Sequence, residues 1–265
     1  MTGKRLRLDE LLVARGLAET RSQARALVLA GEVRVDGQVV DKAGYSLSAE
    51  AAVELAQPAR FVSRGGEKLD HALNVFQVDI AGQVCADFGA STGGFTDVLL
   101  QRGAEKVYAI DVGYGQLHYR LRTDARVVVM ERVNVRYLEE LPLPIDLVTI
   151  DVSFISLSLV LPAAARVLRS AGRCVALVKP QFEAGREKVG KGGVVRERKT
   201  HREVLERAAA FARQAGFTLR GATRSPLTGP AGNVEFFFLL DRDHENAPEP
   251  DSLIQALLEP ETQHV

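Results

Sequence analysis

Residues 84–100, VCADFGASTGGFTDVLL, constrain the fold of this chain more than any other stretch. The apolar run at 84–86 ends in Asp87, a glycine-rich stretch follows, and Phe95 begins an apolar pattern at helical spacing. This order predicts a buried strand, a tight turn and a helix. Glycines in such a turn let backbone N–H groups approach a ligand, and the start of the helix favours an anionic group. The segment therefore predicts a cofactor-binding turn.

The spacing of the glycines decides which cofactor class the turn favours. A nicotinamide-binding turn reads G-x-G-x-x-G, whereas here Gly89 is followed by Gly93 and Gly94. A second acid, Asp111, ends the next predicted strand about 20 residues further on, where a ribose-binding carboxylate is expected. An acid followed by G-A-S-x-G-G-F resembles motif I of S-adenosylmethionine methyltransferases. The resemblance implies a cofactor site made of Asp87, Gly89, Ala90, Ser91, Gly93, Gly94, Phe95, Asp111, Asn134 and Asp151.

The composition is ordinary for a globular protein with room for one large and one small domain. The 265 residues are 46% hydrophobic and 26% charged, with a net charge of zero. Any affinity for nucleic acid must therefore come from a local patch. No apolar run approaches the roughly 20 residues of a membrane helix, and the start lacks a signal-peptide core, which favours a cytoplasmic protein. Cys85 and Cys174 lie in apolar runs and the histidines lack ligand spacing, so no metal site is expected.

Residues 1–60 are predicted to form a small module of mixed helix and strand. Leucines at helical spacing predict a helix over 7–15, and Thr20 with Gln23 forms a capping box for a second helix. Alternation around Asp36 and Gly37 predicts a hairpin. The stretch resembles the S4 RNA-binding domain, which implies contacts to the phosphates of structured RNA. The expected RNA contacts are Arg5, Arg7, Arg21 and Arg25; a solvated helical hairpin is the alternative.

Residues 61–242 alternate between predicted strands and helices. An acidic tail at 243–265 follows and is expected to be loosely packed, with a helical turn or two over residues 252–258. This alternation predicts an α/β fold, with a doubly wound, mainly parallel, Rossmann-like sheet of seven strands. Ligands bind such sheets at the carboxyl ends of the strands, where Asp87, Asp111, Asp151 and Lys179 fall. A structural ion-pair network is the alternative explanation, but the recurrence of charges at strand after strand favours a site. Residues 181–195 show no periodicity and are expected to be a mobile loop over that site.

Several motifs make the chain similar to the TlyA family, also called hemolysin A-like proteins, over about residues 5–240. They are FVSRGGEKL, ADFGASTGGFTD, AIDVGYGQL, TIDVSFISL, LVKPQFE and GNVEFFF. This family joins an S4 domain to an FtsJ-like methyltransferase domain that methylates cytidine ribose 2′-hydroxyls in ribosomal RNA. The resemblance implies S-adenosylmethionine as cofactor and ribosomal RNA or ribosomal subunits as partner, with Arg64 as a further RNA contact. FtsJ-like enzymes carry a Lys-Asp-Lys-Glu tetrad, which falls on Lys68, Asp151, Lys179 and Glu235.

The resemblance implies different roles for the four tetrad residues in methyl transfer. Three other functions are alternatives to a methyltransferase. Lys179 is expected to contact the ribose hydroxyl as a base or as an electrostatic guide, with the other three residues positioning it. A ribosome-assembly or regulatory protein could bind RNA and cofactor without turnover, although the complete tetrad disfavours it. A cytolysin and a dehydrogenase rank lower, because the chain lacks a spanning or basic amphipathic segment and the nicotinamide glycine spacing.

Overall fold

The computed structural model describes residues 5–29, 31–55, 60–245 and 247–259. The chain divides into two compact units, Met1–Arg60 and Phe61–Val265. Among the described residues, the first unit has one buried apolar cluster and the second has two, and no cluster is shared between the units.

The first unit contains two helices and short strands around a small core that includes Leu8, Leu12 and Val28. Asp36 and Gly37 both have positive φ, at 50° and 80°, as a two-residue hairpin turn requires. The predicted helices and hairpin are confirmed. The elements are β1 (Arg5–Arg7), α1 (Leu8–Ala14), α2 (Arg21–Leu29), β2 (Val33–Val35), β3 (Gln38–Val39), β4 (Ser46–Ser48) and β5 (Val53–Leu55).

The second unit alternates strands and helices along most of its length. Its elements are α3 (Arg64–Val75), β6 (Val84–Phe88), α4 (Gly94–Gln101), β7 (Lys106–Asp111), α5 (Tyr119–Arg122), β8 (Val127–Glu131), β9 (Ile145–Ile150), α6 (Leu157–Val167), β10 (Leu168–Val178), α7 (Pro180–Glu183), α8 (Arg198–Gln214), β11 (Thr218–Arg224), β12 (Phe236–Asp241) and α9 (Pro250–Leu258).

The strands of this unit form one seven-stranded sheet in the order β11-β12-β10-β9-β6-β7-β8. Five strands run parallel to one another, namely β10, β9, β6, β7 and β8. Strand β12 runs antiparallel to both of its neighbours, β10 and β11. The predicted α/β fold with a mainly parallel sheet is confirmed. Because β12 is reversed, its first residues lie at the edge where the parallel strands end. That edge therefore gathers residues from every strand of the sheet.

Apolar side chains cover both faces of the sheet, as a doubly wound fold requires. Strand β12 shows this most simply, because Phe236 and Phe238 point into one buried cluster and Phe237 into the other. Helices α6 and α8 cover the first face, and helices α3 and α4 cover the second. The core thus fixes the sheet from both sides and leaves the strand ends to carry function.

Residues 181–195 carry more regular structure than the sequence predicts. The stretch 181–195 contains the end of α7 and a turn of 3₁₀ helix, and it is tied down by Asn233. The Asn233 side chain accepts from Val195 N at 2.9 Å and donates to the Gly193 carbonyl at 2.8 Å. The short helix expected within the tail is confirmed as α9, which buries Ile254 completely. Residues 260–265 of the tail lie outside the described residues. The contacts of Asn233 give no signal in local pattern, because Asn233 lies far from residues 193–195 in the sequence.

Candidate active site

The glycine turn passes closer to its neighbours than a side chain would allow. Gly89 has a φ of +89°, and a Cβ built on it would lie 2.5 Å from the Asp151 carbonyl oxygen. A Cβ on Gly94 would lie 2.3 Å from Ser63 Oγ. Real Cβ atoms do not approach so closely, so glycine is required at both places. The predicted strand, turn and helix are confirmed, and the turn offers bare backbone to a ligand.

Asp111, at the end of β7, holds the turn from the neighbouring strand. One carboxylate oxygen accepts from Ser91 N at 2.8 Å, and the other accepts from Gly113 N at 2.7 Å. Each oxygen keeps a second lone pair, so the carboxylate can still accept from a ligand hydroxyl. Asp111 therefore links the glycine turn to the place where a ribose is expected.

Asp87 lies behind the turn and not beside the ligand space. It is completely buried, and its two oxygens accept from the hydroxyls of Thr96 at 2.7 Å and Thr149 at 3.1 Å. Burial raises the pKa of Asp87 to about 7, although the two hydroxyl donors act in the opposite direction. The expectation of direct cofactor contact is not supported, because the carboxylate is fully enclosed by protein. Gly93 is likewise turned toward Leu117 and Leu121.

Two cavities meet at the turn. One has a volume of about 550 Å³ and the other about 610 Å³, and both touch Gly89, Ser91, Asp151 and Ser153. We call the first the tetrad cavity; the predicted residues that line it are Arg64, Lys68, Gly89, Ala90, Ser91, Gly94, Phe95, Asp151, Lys179 and Glu235. We call the second the Asp111 cavity; the predicted residues that line it are Gly89, Ser91, Asp111, Asn134 and Asp151. Most of the residues predicted for the site therefore line one or both of these cavities.

The four predicted tetrad residues form two ion pairs. Lys179 Nζ lies 2.6 Å from Asp151 Oδ1, and Lys68 Nζ lies 2.5 Å from Glu235 Oε2. Lys68, Lys179 and Glu235 are almost fully buried. Buried charges of this kind cost desolvation free energy and are costly to break singly, so they are poor devices for stability alone. Their position at a cavity mouth points to chemistry.

Two polar residues that sequence reasoning missed complete these pairs. Lys179 Nζ also donates to Ser153 Oγ at 3.0 Å, and Gln181 Nε2 donates to Glu235 Oε1 at 3.3 Å. Ser153 follows Asp151 by two residues, and Gln181 follows Lys179 by two. Both residues lie in loops that follow strand ends, where functional residues are common. This position is the only signal in the sequence that could have identified them.

An exposed aromatic residue, Phe154, lines the Asp111 cavity. Phe154 is 91% exposed and has a φ of +62°, which is unusual for a residue other than glycine. Its ring centre lies 5.0 Å from that of Phe182, and the Phe182 ring in turn lies 5.9 Å from Lys179 Nζ. Strained backbone that displays an apolar ring to solvent favours a role in ligand contact over one in folding.

In the first unit, three of the predicted RNA-contacting arginines converge on one acid. Asp9 is fully buried and accepts from Arg7 Nε at 3.0 Å, from Arg25 Nε at 3.1 Å and from Arg21 Nη2 at 3.2 Å. The Arg7 guanidinium holds the pKa of Asp9 well below its usual range, against the opposing effect of burial. Arg5 donates instead to the Ser46 carbonyl. The arginines are thus partly engaged within the protein, though each guanidinium keeps further N–H donors.

Other classes of site are not seen in the part of the chain that the structure describes. No cluster of three or more His, Cys, Asp or Glu side chains there is placed to hold a metal ion. No described helix is long and apolar enough to cross a membrane. Both cysteines are buried, and burial raises the pKa of the Cys85 thiol to about 12.

Comparisons with known proteins agree with this geometry. A family model described as FtsJ-like methyltransferase matches residues 61–242, and an S4 domain model matches residues 6–53. The chain is 45% identical to the 16S/23S rRNA (cytidine-2'-O)-methyltransferase TlyA of Mycobacterium tuberculosis, over 96% of both chains. It is 40% identical to Hemolysin A of Brachyspira hyodysenteriae, over 87% of this chain and 98% of that one. A solved Streptococcus thermophilus structure, named as a candidate hemolysin, superposes with a TM-score of 0.74 at 45% identity, over 96% of this chain and 94% of that one.

Proposed function

Because the chain belongs to the FtsJ-like methyltransferase family, we propose that it methylates cytidine ribose 2′-hydroxyls in ribosomal RNA. Its cofactor is S-adenosylmethionine, as for methyltransferases of this fold. The S4 domain over residues 6–53 adds an RNA-binding module. The substrate is inferred from the name of the M. tuberculosis relative together with the geometry of the tetrad cavity.

The observation that carries the proposal is the position of the Lys179–Asp151 pair. It lies where the tetrad cavity meets the Asp111 cavity, because Asp151 lines both. The Asp111 cavity offers a carboxylate for ribose hydroxyls and Asn134 further along the same wall. A cofactor held there would present its reactive end at Asp151, beside the ammonium of Lys179.

The residues around the pair suit attack by a hydroxyl oxygen. Bound S-adenosylmethionine supplies a methyl group already activated by its sulfonium, so the protein's main task is alignment. Lys179, held by Asp151 and Ser153, has two possible roles at the ribose oxygen. It can take the hydroxyl proton as the oxygen attacks, or, as an ammonium, it can stabilise the negative charge on that oxygen while the proton passes to water. The Lys68–Glu235 pair closes the other side of the same cavity and fixes where the ribose can sit.

The surface around the tetrad cavity supports an RNA substrate. A ribose within structured RNA reaches a buried site only when its nucleotide leaves the base stack. The exposed ring of Phe154, packed on Phe182, provides a face on which a displaced base can stack. Arg64 lines the cavity and is exposed, so it is placed to meet a phosphate.

Transfer of radiolabelled methyl groups to purified 30S and 50S subunits tests the proposal. The subunits are taken from a strain that lacks this protein, and the modified nucleotide is mapped by primer extension at limiting nucleotide concentration. We expect label at the 2′-oxygen of a cytidine. Binding to subunits without label would favour the assembly-protein alternative, and label on a base would contradict the ribose assignment.

A fragment covering residues 62–265 tests the role of the S4 domain. It should keep the cofactor affinity of the whole chain but bind subunits weakly, with a smaller salt dependence, because the phosphate-binding arginines of the first unit are absent. A fragment that methylates subunits as well as the whole chain does would exclude an RNA-binding role for that domain.

A further inference from the structure

A third cavity lies along the same edge of the sheet, beyond the tetrad. It has a volume of about 1100 Å³, and we call it the α8–β11 groove because Arg198 of α8 and Arg224 of β11 line it. Thr228 lines both this groove and the tetrad cavity. Ser225, also in the groove, donates its backbone N–H to the carbonyl of Glu235 at 2.9 Å. The groove therefore continues the proposed active site past the Lys68–Glu235 pair.

Two cations in the groove, Arg198 and Arg224, have no ion-pair partner among the described residues, and both are exposed. The groove also contains His71 from α3, His201 from α8 and, as its one acid in the described part of the chain, Glu259 beyond α9. Burial lowers the pKa of His201, which leaves that ring neutral near pH 7. The remaining charge is positive, which suits an anion.

The position of Arg198 is unfavourable for a purely structural role. It is the first residue of α8, and a cation at the N-terminus of a helix opposes the positive end of the helix dipole. Arg224 ends β11 at the same edge of the sheet, so two arginines from different elements line one groove. Two unpaired cations that do not serve the fold are placed to bind a ligand from outside.

We propose that the α8–β11 groove binds phosphates of the RNA strand that flanks the methylated ribose. This inference rests on the proposed function, since it assigns a path to that substrate. A ribose in the tetrad cavity stays bonded to phosphates on both sides, so the strand has to leave the cavity in two directions. Arg64 lies at the cavity itself, and the groove offers the continuation beyond Glu235. Its apolar lining, which includes the half-buried Val234 and Leu258, can pack against the sugar and base faces between phosphates.

Salt dependence of binding is the measurement that reports phosphate contacts. We would compare Arg198→Gln, Arg224→Gln and the double variant with the wild type, using 30S and 50S subunits at a series of potassium chloride concentrations. Arg213→Gln is the matched control, because Arg213 is an exposed arginine in the last turn of the same helix and lies outside the groove. Affinity for S-adenosylhomocysteine checks that the cofactor site is intact.

The slope of log affinity against log salt should fall by about 0.7 for each phosphate that the variant no longer neutralises. We expect this fall in each single variant and its sum in the double variant, with about tenfold weaker subunit binding and unchanged cofactor affinity. Arg213→Gln should behave as the wild type. Equal slopes in the double variant and the control would overturn the proposal.

Truncation after Leu258 separates RNA from another occupant. If the last residues of the chain fill the groove, the truncated protein should bind subunits more tightly while the double variant of the full chain changes nothing. That result would also overturn the proposal. If the wild type transfers no methyl group to either subunit, the proposed function itself fails, and this outcome is distinct from a failure of the groove variants.

Discussion

Lys179 and Asp151 follow adjacent parallel strands, and their side chains meet with Nζ 2.6 Å from Oδ1. Strand register places them together, because Ala176 of β10 pairs with Ile150, the last residue of β9, and β10 continues only to Val178. Pro180 follows Lys179 and cannot continue the strand, so the lysine stands at a fixed turn. The ion pair is therefore a product of sheet geometry.

Replacing Asp111 tests its place in the cofactor site. Asp111→Ala should weaken binding of S-adenosylmethionine by about 1–3 kcal/mol, the scale of a missing charge-assisted hydrogen bond. Isothermal titration calorimetry measures this directly. Because Asp111 also holds the N–H groups of Ser91 and Gly113, a thermal melt must show that the variant is folded. Unchanged affinity in a folded variant would remove Asp111 from the site.

Gly89→Ala tests whether the close approach of the turn to Asp151 matters. The new Cβ would lie 2.5 Å from the Asp151 carbonyl oxygen, in addition to the cost of a left-handed φ. Gly216→Ala is the matched control, because Gly216 has a φ of +82° and nothing within 4 Å of the added atom. Denaturant unfolding should show a loss of about 1 kcal/mol in the control and a clearly larger one at Gly89. Equal losses of unfolding free energy in the two variants would mean that the backbone around Gly89 shifts to accommodate the added Cβ at no extra cost.

Asp87 predicts a pH dependence of stability with a defined sign. Its pKa is near 7 in the folded chain and 3.8 is its ordinary value, so the folded state binds more protons between those limits. The free energy of unfolding should therefore fall as pH rises from about 4 to 7. Asp87→Asn removes this contribution, and denaturant titrations across that range should show a flatter profile than the wild type. If Asp87→Asn leaves the pH dependence of the unfolding free energy unchanged, a group other than Asp87 is responsible for it.

The sequence predicted the parallel sheet and the turn because both depend on local pattern. The tetrad came from the resemblance to FtsJ-like enzymes, and the local pattern indicated only that Asp151 and Lys179 end strands. The segment that runs from Val84 through Gly89 into α4 is contiguous, so its residue pattern identifies a strand, a turn and a helix without ambiguity. Asp87 was misread because motif position alone does not tell whether a carboxylate points outward or into the core. Ser153 and Gln181 were missed because hydrogen bonds between loops follow from tertiary packing.

The contacts of the arginines in the first unit were not predicted for the same reason, because they too follow from tertiary packing. The count of arginines suggested free phosphate contacts, whereas Arg7, Arg21 and Arg25 share the buried Asp9. A buried acid at the start of α1 gives no signal in composition, since Asp in a first helical turn is ordinary.

Asp9→Asn tests whether this acid organises the arginines. Removing its charge leaves the three guanidiniums without a common partner, so the variant should bind ribosomal subunits several-fold more weakly, with the arginines themselves intact. Cofactor affinity should not change, because the glycine turn belongs to the other unit. Filter binding with subunits gives the comparison, and Asp124→Asn, whose acid pairs with Arg126 in the second unit, is the control. Equal subunit affinity in both variants would show that Asp9 serves folding alone.

The central claim is that Lys179 acts on the ribose hydroxyl and is more than a structural ion pair. Lys188→Ala removes an exposed paired lysine and serves as the control. The measurement is single-turnover methyl transfer to ribosomal subunits by Lys179→Ala, with cofactor and subunit affinities determined on the same preparation. We predict that transfer is abolished while both affinities stay within about tenfold of the wild type, near 1.4 kcal/mol. Wild-type transfer by Lys179→Ala would contradict the claim, and so would a loss of transfer that merely follows an equal loss of binding.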